Sequence, residues 1–289
     1  MNIRANDREQ SSTHRVGPML IGNPMVFREL PLEMALAKAA EAGYDAFELW
    51  PPQILECKTA ALRQQLAERI RSMGILPLRL NCADREYFQN LSSHEDIPQA
   101  LAGLCSDIDM AADLGMTQLL TWEGRGDRGY TSEEVHGWVL DATADLFNQA
   151  CAYGREKNVS LTIEVHPYSL GIDIDWLIKL CDQVDDPEFS VTYDCCHFAV
   201  GLPEDYITAI KRLGKRIGHV HFCDSDKQSS ELHFAPGKGC LDLEGIVHAL
   251  VEVEFEGTVM LDLWLYPLPE YGTQIGVPYV REVIRKLGL

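Results

Sequence analysis

Asp194 and His197 stand three residues apart in "FSVTYDCCHFAVG", residues 189–201. A carboxylate and an imidazole at the end of an apolar run can hold a metal, move a proton or activate a thiol. The cysteines between them, Cys195 and Cys196, set thiolate zinc and a thiol nucleophile against an oxygen–nitrogen metal site. Adjacent residues point to opposite faces of a strand or diverge in a loop, so this pair does not readily ligate one ion together. No CxxC pair occurs, and nine cysteines without regular spacing read as reduced thiols, several of them buried.

Other polar residues close apolar runs in the same way: Glu48, Asn81, Trp122 with Glu123, Glu164 with His166, His219 and His221 with Asp224 beyond, and Asp262. Glu164, Asp194, His221 and Asp262 form a plausible metal set. Three carboxylates and one imidazole suit a hard or borderline divalent ion such as Mn²⁺, Mg²⁺ or Co²⁺. Such side chains inside apolar strands are costly without a partner, and a metal supplies one. A lone acid at a strand end is ordinarily a helix N-cap or a solvated loop residue, and Glu48, Glu123 and Asp224 are read that way or as structural groups. His219 and His221 alternate and so share one side of their strand. Trp122 reads as core or as a wall for a sugar ring.

These groups need a scaffold that gathers strand ends. "AKAAEAGYDAFELW", "LAERIRSMGILPLRLN" and "DIDMAADLGMTQLLTW" each run from a helix through Gly43, Gly74 or Gly115 into an apolar strand. A glycine there is the expected left-handed helix end. Strands are expected at 19–22, 46–50, 75–80, 117–122, 160–165, 189–193, 217–222 and 258–263. Helices are expected near 31–42, 56–73, 95–114, 132–157, 174–183, 203–213, 242–254 and 276–287. Strict alternation means parallel strands joined by right-handed crossovers, and eight units suit a closed (β/α)₈ TIM barrel. The alternative, an open doubly wound sheet, usually shows a Gly-rich phosphate turn after an early strand, and none follows a strand here. "GRGDRG" at 124–129 reads as a flexible loop. The longest irregular insertion, 223–241, follows the seventh strand on the face where barrel sites sit. Residues 1–17 read as a flexible arm and 18–289 as a single catalytic domain.

The composition narrows the partners. A formal charge of −19, with 44 acids against 25 bases, argues against a nucleic-acid backbone as ligand. No run approaches the ~18 apolar residues of a membrane helix, and the polar first residues lack a signal peptide's apolar middle, so a cytoplasmic location is expected.

The motifs "AEAGYDAFEL", "TIEVHP", "YDCCHFAVG", "GHVHFCDSD" and "APGKGCLDLEGIVHAL" carry a resemblance that covers nearly the whole chain from about Pro18. The chain resembles the sugar phosphate isomerase/epimerase group of xylose isomerase-like barrels. That group includes ketose 3-epimerases, inosose isomerases and dehydratases, hydroxypyruvate isomerase and AP-endonuclease-type nucleases. The resemblance implies Glu164, Asp194, His221 and Asp262 as metal ligands, with manganese first and magnesium, cobalt or zinc as alternatives. It implies Glu164 and Asp262 as the groups that move protons on opposite faces of the substrate. His197 would contact substrate, His166 would line the pocket or relay a proton, and Asn81 and Trp122 would bind the sugar. Two features depart from the pattern: Asp262 stands where the group usually has Glu, and the Arg expected after H-x-H is absent, with Lys227 the nearest base. The implied activity is isomerisation or epimerisation of a ketose, keto sugar or keto-inositol through a metal-stabilised enediolate. A keto-inositol dehydratase or a C-glycoside deglycosidase subunit is the lyase alternative, and a metal endonuclease stands further off. Expected partners are a small sugar or cyclitol and a second copy or second subunit, with no nucleic acid and no membrane.

Overall fold

The computed structural model describes residues 19–83 and 91–289; the expected arm at 1–17 lies outside them. Eight parallel strands close a barrel in chain order: β1 (Leu20–Gly22), β2 (Ala46–Leu49), β3 (Leu76–Asn81), β4 (Gln118–Thr121), β5 (Ser160–Glu164), β6 (Ser190–Asp194), β7 (Ile217–Phe222) and β8 (Thr258–Leu261). The expected (β/α)₈ barrel is the observed fold. Around it run α1 (Leu32–Glu41), α2 (Ala60–Ser72), α3 (Ile97–Asp113), α4 (Leu140–Lys157), α5 (Ile174–Gln183), α6 (Cys195–Gly201), α7 (Tyr206–Leu213), α8 (Leu243–Glu252) and α9 (Pro269–Leu287). Gly43, Gly74 and Gly115 take φ of +88°, +79° and +64°, the left-handed conformation that ends the helix before each strand. Among the described residues no helix is long and apolar enough to cross a membrane.

Strand alternation sorts side chains to two sides. Phe47, Leu49, Val220 and Phe222 join the large core between strands and helices. A small apolar plug of Ile21, Ala46, Leu78 and Met260 packs apart from it. Several buried polar groups pair with one another. Arg79, 1% exposed, meets Glu48 at 3.3 Å and also hydrogen-bonds Gln118 and Thr258. Thr162 Oγ1 lies 3.0 Å from Thr192 Oγ1, and His219 Nδ1 lies 2.7 Å from Thr258 Oγ1.

Three expectations change. The segment 195–201, read without a helix, is α6, and its start is capped by Asp194, whose Oδ1 accepts from His197 N at 2.7 Å. The last helix begins at Pro269, seven residues before the expected start at 276; Pro at its first position suits a helix start, while Gly272, Gly276 and Pro278 inside it break the apolar period. The 124–129 loop is anchored rather than free: Gly126 N donates to Tyr168 O at 2.9 Å, and Leu170 N donates to Gly124 O at 3.0 Å.

Candidate active site and metal centre

Parallel packing brings the C-terminal ends of the strands to one face. Glu164 and Asp194 are the last residues of β5 and β6, His221 lies one residue before the end of β7, and Asp262 follows β8. Register pairs Asp194 with His221 directly. Glu164 Oε1 lies 2.6 Å from His221 Nδ1, and Asp194 Oδ2 lies 3.5 Å from that nitrogen. Yet neither Asp194 Oδ2 nor His221 Nδ1 makes a hydrogen bond among the described residues, although both are buried. Short contacts without hydrogen bonds, between groups that are costly to bury unpaired, are what a cation would resolve. Glu164, Asp194 and His221 thus form a buried group of potential ligands within 4.8 Å of one another.

The surroundings orient these candidate ligands. Asp194 divides its work: Oδ1 caps α6 while Oδ2 faces the cluster. Burial opposes its charge, but the imidazoles of His197, His233 and His221 outweigh burial and hold the carboxyl well below its usual range. Glu48 Oε2 lies 3.3 Å from His221 Nε2, which fixes the ring and leaves Nδ1 facing the cluster. Burial likewise opposes Glu48's charge, yet His221, Arg79 and Asn81 together keep it ionised. Glu48 is therefore a buried structural group, not a solvated one. The same holds for Asp224, whose two oxygens accept backbone N–H groups from Ser225, Gly237, Gly239 and Leu241 at 2.8–3.0 Å and so fold the 223–241 loop.

Asp262 stands at the edge of the cluster, its Oδ2 3.6 Å from His221 Nδ1. Its Oδ1 accepts from Trp264 N at 3.0 Å, and its Oδ2 meets His233 Nδ1 at 2.7 Å. His197 Nδ1 is buried without a hydrogen bond, 4.0 Å from Glu164 Oε1, and His166 Nε2 is likewise unbonded, 3.7 Å from Glu164 Oε2. The two rings face each other at 4.2 Å. Trp122 is buried edge-on to His166, and its indole N–H has no partner among the described residues. Asn81 lines the same pocket, but its amide donates to Glu48 Oε1 at 2.8 Å and accepts from Ala83 N at 3.1 Å. Cys196 Sγ donates to Ser225 Oγ at 3.2 Å, and neither Cys195 nor Cys196 joins a group of potential ligands among the described residues, whereas Cys223 stands within 4.8 Å of Asp194 and His233.

The chain matches the xylose isomerase-like TIM barrel family over residues 36–283. It belongs to that family. Relatives named as enzymes span most of its length. A fructoselysine 3-epimerase of Shigella flexneri is 23% identical over 244 residues, 82% of this chain and 86% of the relative. An inosose isomerase of Bacillus velezensis is 25% identical over 251 residues, 83% of this chain and 85% of the relative. Among solved structures, the IolI protein with a bound zinc atom superposes with a TM-score of 0.75 at 19% identity, covering 93% of this chain and 99% of its own. The D-psicose 3-epimerase of Clostridium cellulolyticum H10 with D-tagatose also gives 0.75, at 15% identity, covering 92% and 99%.

Sequence reasoning missed His233. It lies in the long loop, 11 residues past Phe222 at the end of β7, with no strand period to mark it. The one available signal was its place just before "APGKG", whose glycines let the loop fold back onto Asp224.

Proposed function

We propose that the protein is a divalent-metal-dependent isomerase or epimerase of a ketose, keto sugar or keto-inositol, working by proton abstraction beside the carbonyl. The observation that carries this reading is the convergence of Glu164 Oε1, Asp194 Oδ2 and His221 Nδ1 in a pocket at the barrel's C-terminal face. Relatives named as sugar epimerase and inosose isomerase, aligned along more than four fifths of the chain, support the reaction class. Glu164, Asp194 and His221 would hold the ion, with Asp262 completing the set. Oxygen-rich donors favour manganese; the zinc in the IolI structure makes zinc the first alternative. When bound, the ion supplies Lewis-acid charge that lowers the cost of negative charge on the carbonyl oxygen.

The chain's own groups do the rest. Glu164 has one oxygen toward the cluster and the other toward His166, so Oε2 is free to take the carbon-bound proton. His166 offers that proton a route onward. Asp262, three strands further round the barrel, returns a proton from another side, with His233 behind it. His197 and the Trp122 N–H orient hydroxyls, and Asn81 holds Glu48 in place at the pocket wall.

Elimination is the second reading, and His233 favours it. Its Nε2 faces the Ser230 carbonyl at 3.1 Å and therefore carries hydrogen, while Nδ1 shares a contact with Asp262. The His233–Asp262 pair thus has a proton to give to a departing hydroxyl.

Proton NMR in D₂O tests both readings by following deuterium into a panel of ketoses and keto-inositols. Exchange at one carbon without loss of water means isomerisation or epimerisation; loss of a hydroxyl means elimination. Asp194→Asn is expected to abolish metal retention and exchange together, and a fully active variant would sink the site.

A further inference from the structure

The run "HVHFC" at 219–223 carries the alternation of β7 one step past His221. Residues two apart on a strand share a side, so Cys223 falls on the side of His219 and His221. The thiol is fully buried. The long loop then comes back to it. Asp224 and Phe234 exchange backbone hydrogen bonds at 2.8 and 2.9 Å, an antiparallel bridge that lays the returning chain against the end of β7. His233 arrives beside that bridge, 1% exposed, and Asp194 stands at the end of the neighbouring strand. Ligand atoms of Asp194, Cys223 and His233 all lie within 4.8 Å of one another.

The partners of the thiol are oriented toward it. Asp194 spends Oδ1 on the start of α6, and its buried Oδ2 has no hydrogen bond among the described residues. His233 Nε2 faces the Ser230 carbonyl at 3.1 Å, which turns Nδ1 inward, 3.8 Å from Asp194 Oδ2. His233 also lines the pocket, so an ion reaches this group through the same opening as Glu164, His221 and Asp262. A thiolate, an imidazole and a carboxylate together select zinc-like ions. Glu164, Asp194 and His221 carry no sulfur and suit a harder ion. The two groups overlap only at Asp194.

We propose that Asp194, Cys223 and His233 form a second metal position, selective for a thiophilic ion such as Zn²⁺ or Cd²⁺, beside the manganese set. Binding releases the thiol proton and the Nδ1 proton of His233 to solvent. The thiolate, His233 Nδ1 and Asp194 Oδ2 then hold the ion. An ion here takes His233 Nδ1 away from Asp262 and shares Asp194 with the manganese set, so it works against the metal centre. The position needs only the donor geometry and does not depend on the reaction proposed above.

Co²⁺ reports on the position, because a thiolate bound to it gives a near-ultraviolet charge-transfer band that oxygen and nitrogen ligands do not give. The full chain, stripped with a chelator and kept reduced, is titrated with Co²⁺. The band is expected in the natural protein, bleached by Zn²⁺ and not by an equal amount of Mn²⁺. It should be lost in Cys223→Ser, weakened in His233→Gln and kept in Cys240→Ser, which removes the exposed thiol. No band, a band that Mn²⁺ bleaches as readily as Zn²⁺, or a band that Cys240→Ser removes overturns the position. If Cys223→Ser does not fold, His233→Gln decides, and an unweakened band there overturns it. Calorimetric titration with Mn²⁺ reads the other set separately, and that affinity should survive Cys223→Ser. A thiolate band without Mn²⁺ binding leaves this position standing and removes the manganese set; Mn²⁺ binding without the band does the reverse.

Discussion

His233 Nδ1 lies 2.7 Å from Asp262 Oδ2, although the two residues come from a loop and a strand end 29 positions apart. Asp262 is one methylene shorter than a glutamate, and its carboxylate meets His233 from the 223–241 loop. Burial opposes charge on His233, but Asp194 and Asp262 outweigh it and hold the imidazole protonated. Replacing His233 by Ala is expected to lower turnover on the order of 10²-fold, the scale of a lost acid–base group. Metal content by mass spectrometry should stay near one ion per chain. Unchanged turnover would show that Asp262 works alone.

Glu48 supports His221 on one side and Arg79 on the other. Glu48→Gln is expected to weaken metal binding about 10- to 100-fold, as loss of a carboxylate behind a ligating imidazole does. It also leaves a fully buried guanidinium without its counter-charge, a cost of about 3–5 kcal/mol. Competition with a chelator and urea unfolding read the two effects separately. Retention of both would mean that Gln118 and Thr258 suffice for Arg79 and that His221 needs no support.

Asp224 gathers four backbone N–H groups and so shapes the loop that carries His233. Asp224→Ala leaves those donors without their acceptor. Hydrogen bonds to charged groups are worth about 1.5–3 kcal/mol each, though not additively. The variant is expected to lose at least about 3 kcal/mol of stability and most of its turnover. Hydrogen exchange should rise across 223–241 and not in β5 or β6. Exchange spread evenly over the barrel would contradict a local role.

Glu123 supplies a pH signature. Burial pushes its carboxyl from 4.5 up to about 7, against the hydrogen bonds from the Ser169 hydroxyl and the Gly171 N–H. A folded value above the unfolded one means that its contribution is complete below about pH 4.5. It is lost as pH rises through 7. At 1.36 kcal/mol per unit the loss approaches about 3 kcal/mol by pH 8. Urea midpoints between pH 5 and 8 should fall for the natural protein and fall less for Glu123→Gln. Parallel curves would place the titration elsewhere.

The barrel was legible because its signals are local. A glycine at +φ ends the helix before β2, β3 and β4, and apolar runs of strand length follow. Glu164, Asp194, His221 and Asp262 could be picked out for the same reason: each is a charged or imidazole group closing an apolar strand, and strict strand order puts such closings on one face. Helix α6 was not legible, since its cap is also a candidate site residue and its cysteines carry no helical period. Nor could the sequence reveal what each side chain's second atom does. That Asp194 spends one oxygen on a cap and Asn81 one on Ala83 N are local contacts that no period announces, while Asn81 with Glu48 and Asp262 with His233 are contacts between segments far apart in the chain. Periodicity fixes which face a residue shares. Only closure of the barrel and the fold of the 223–241 loop around Asp224 set which groups face one another across it, because those distances depend on chain segments far apart in sequence.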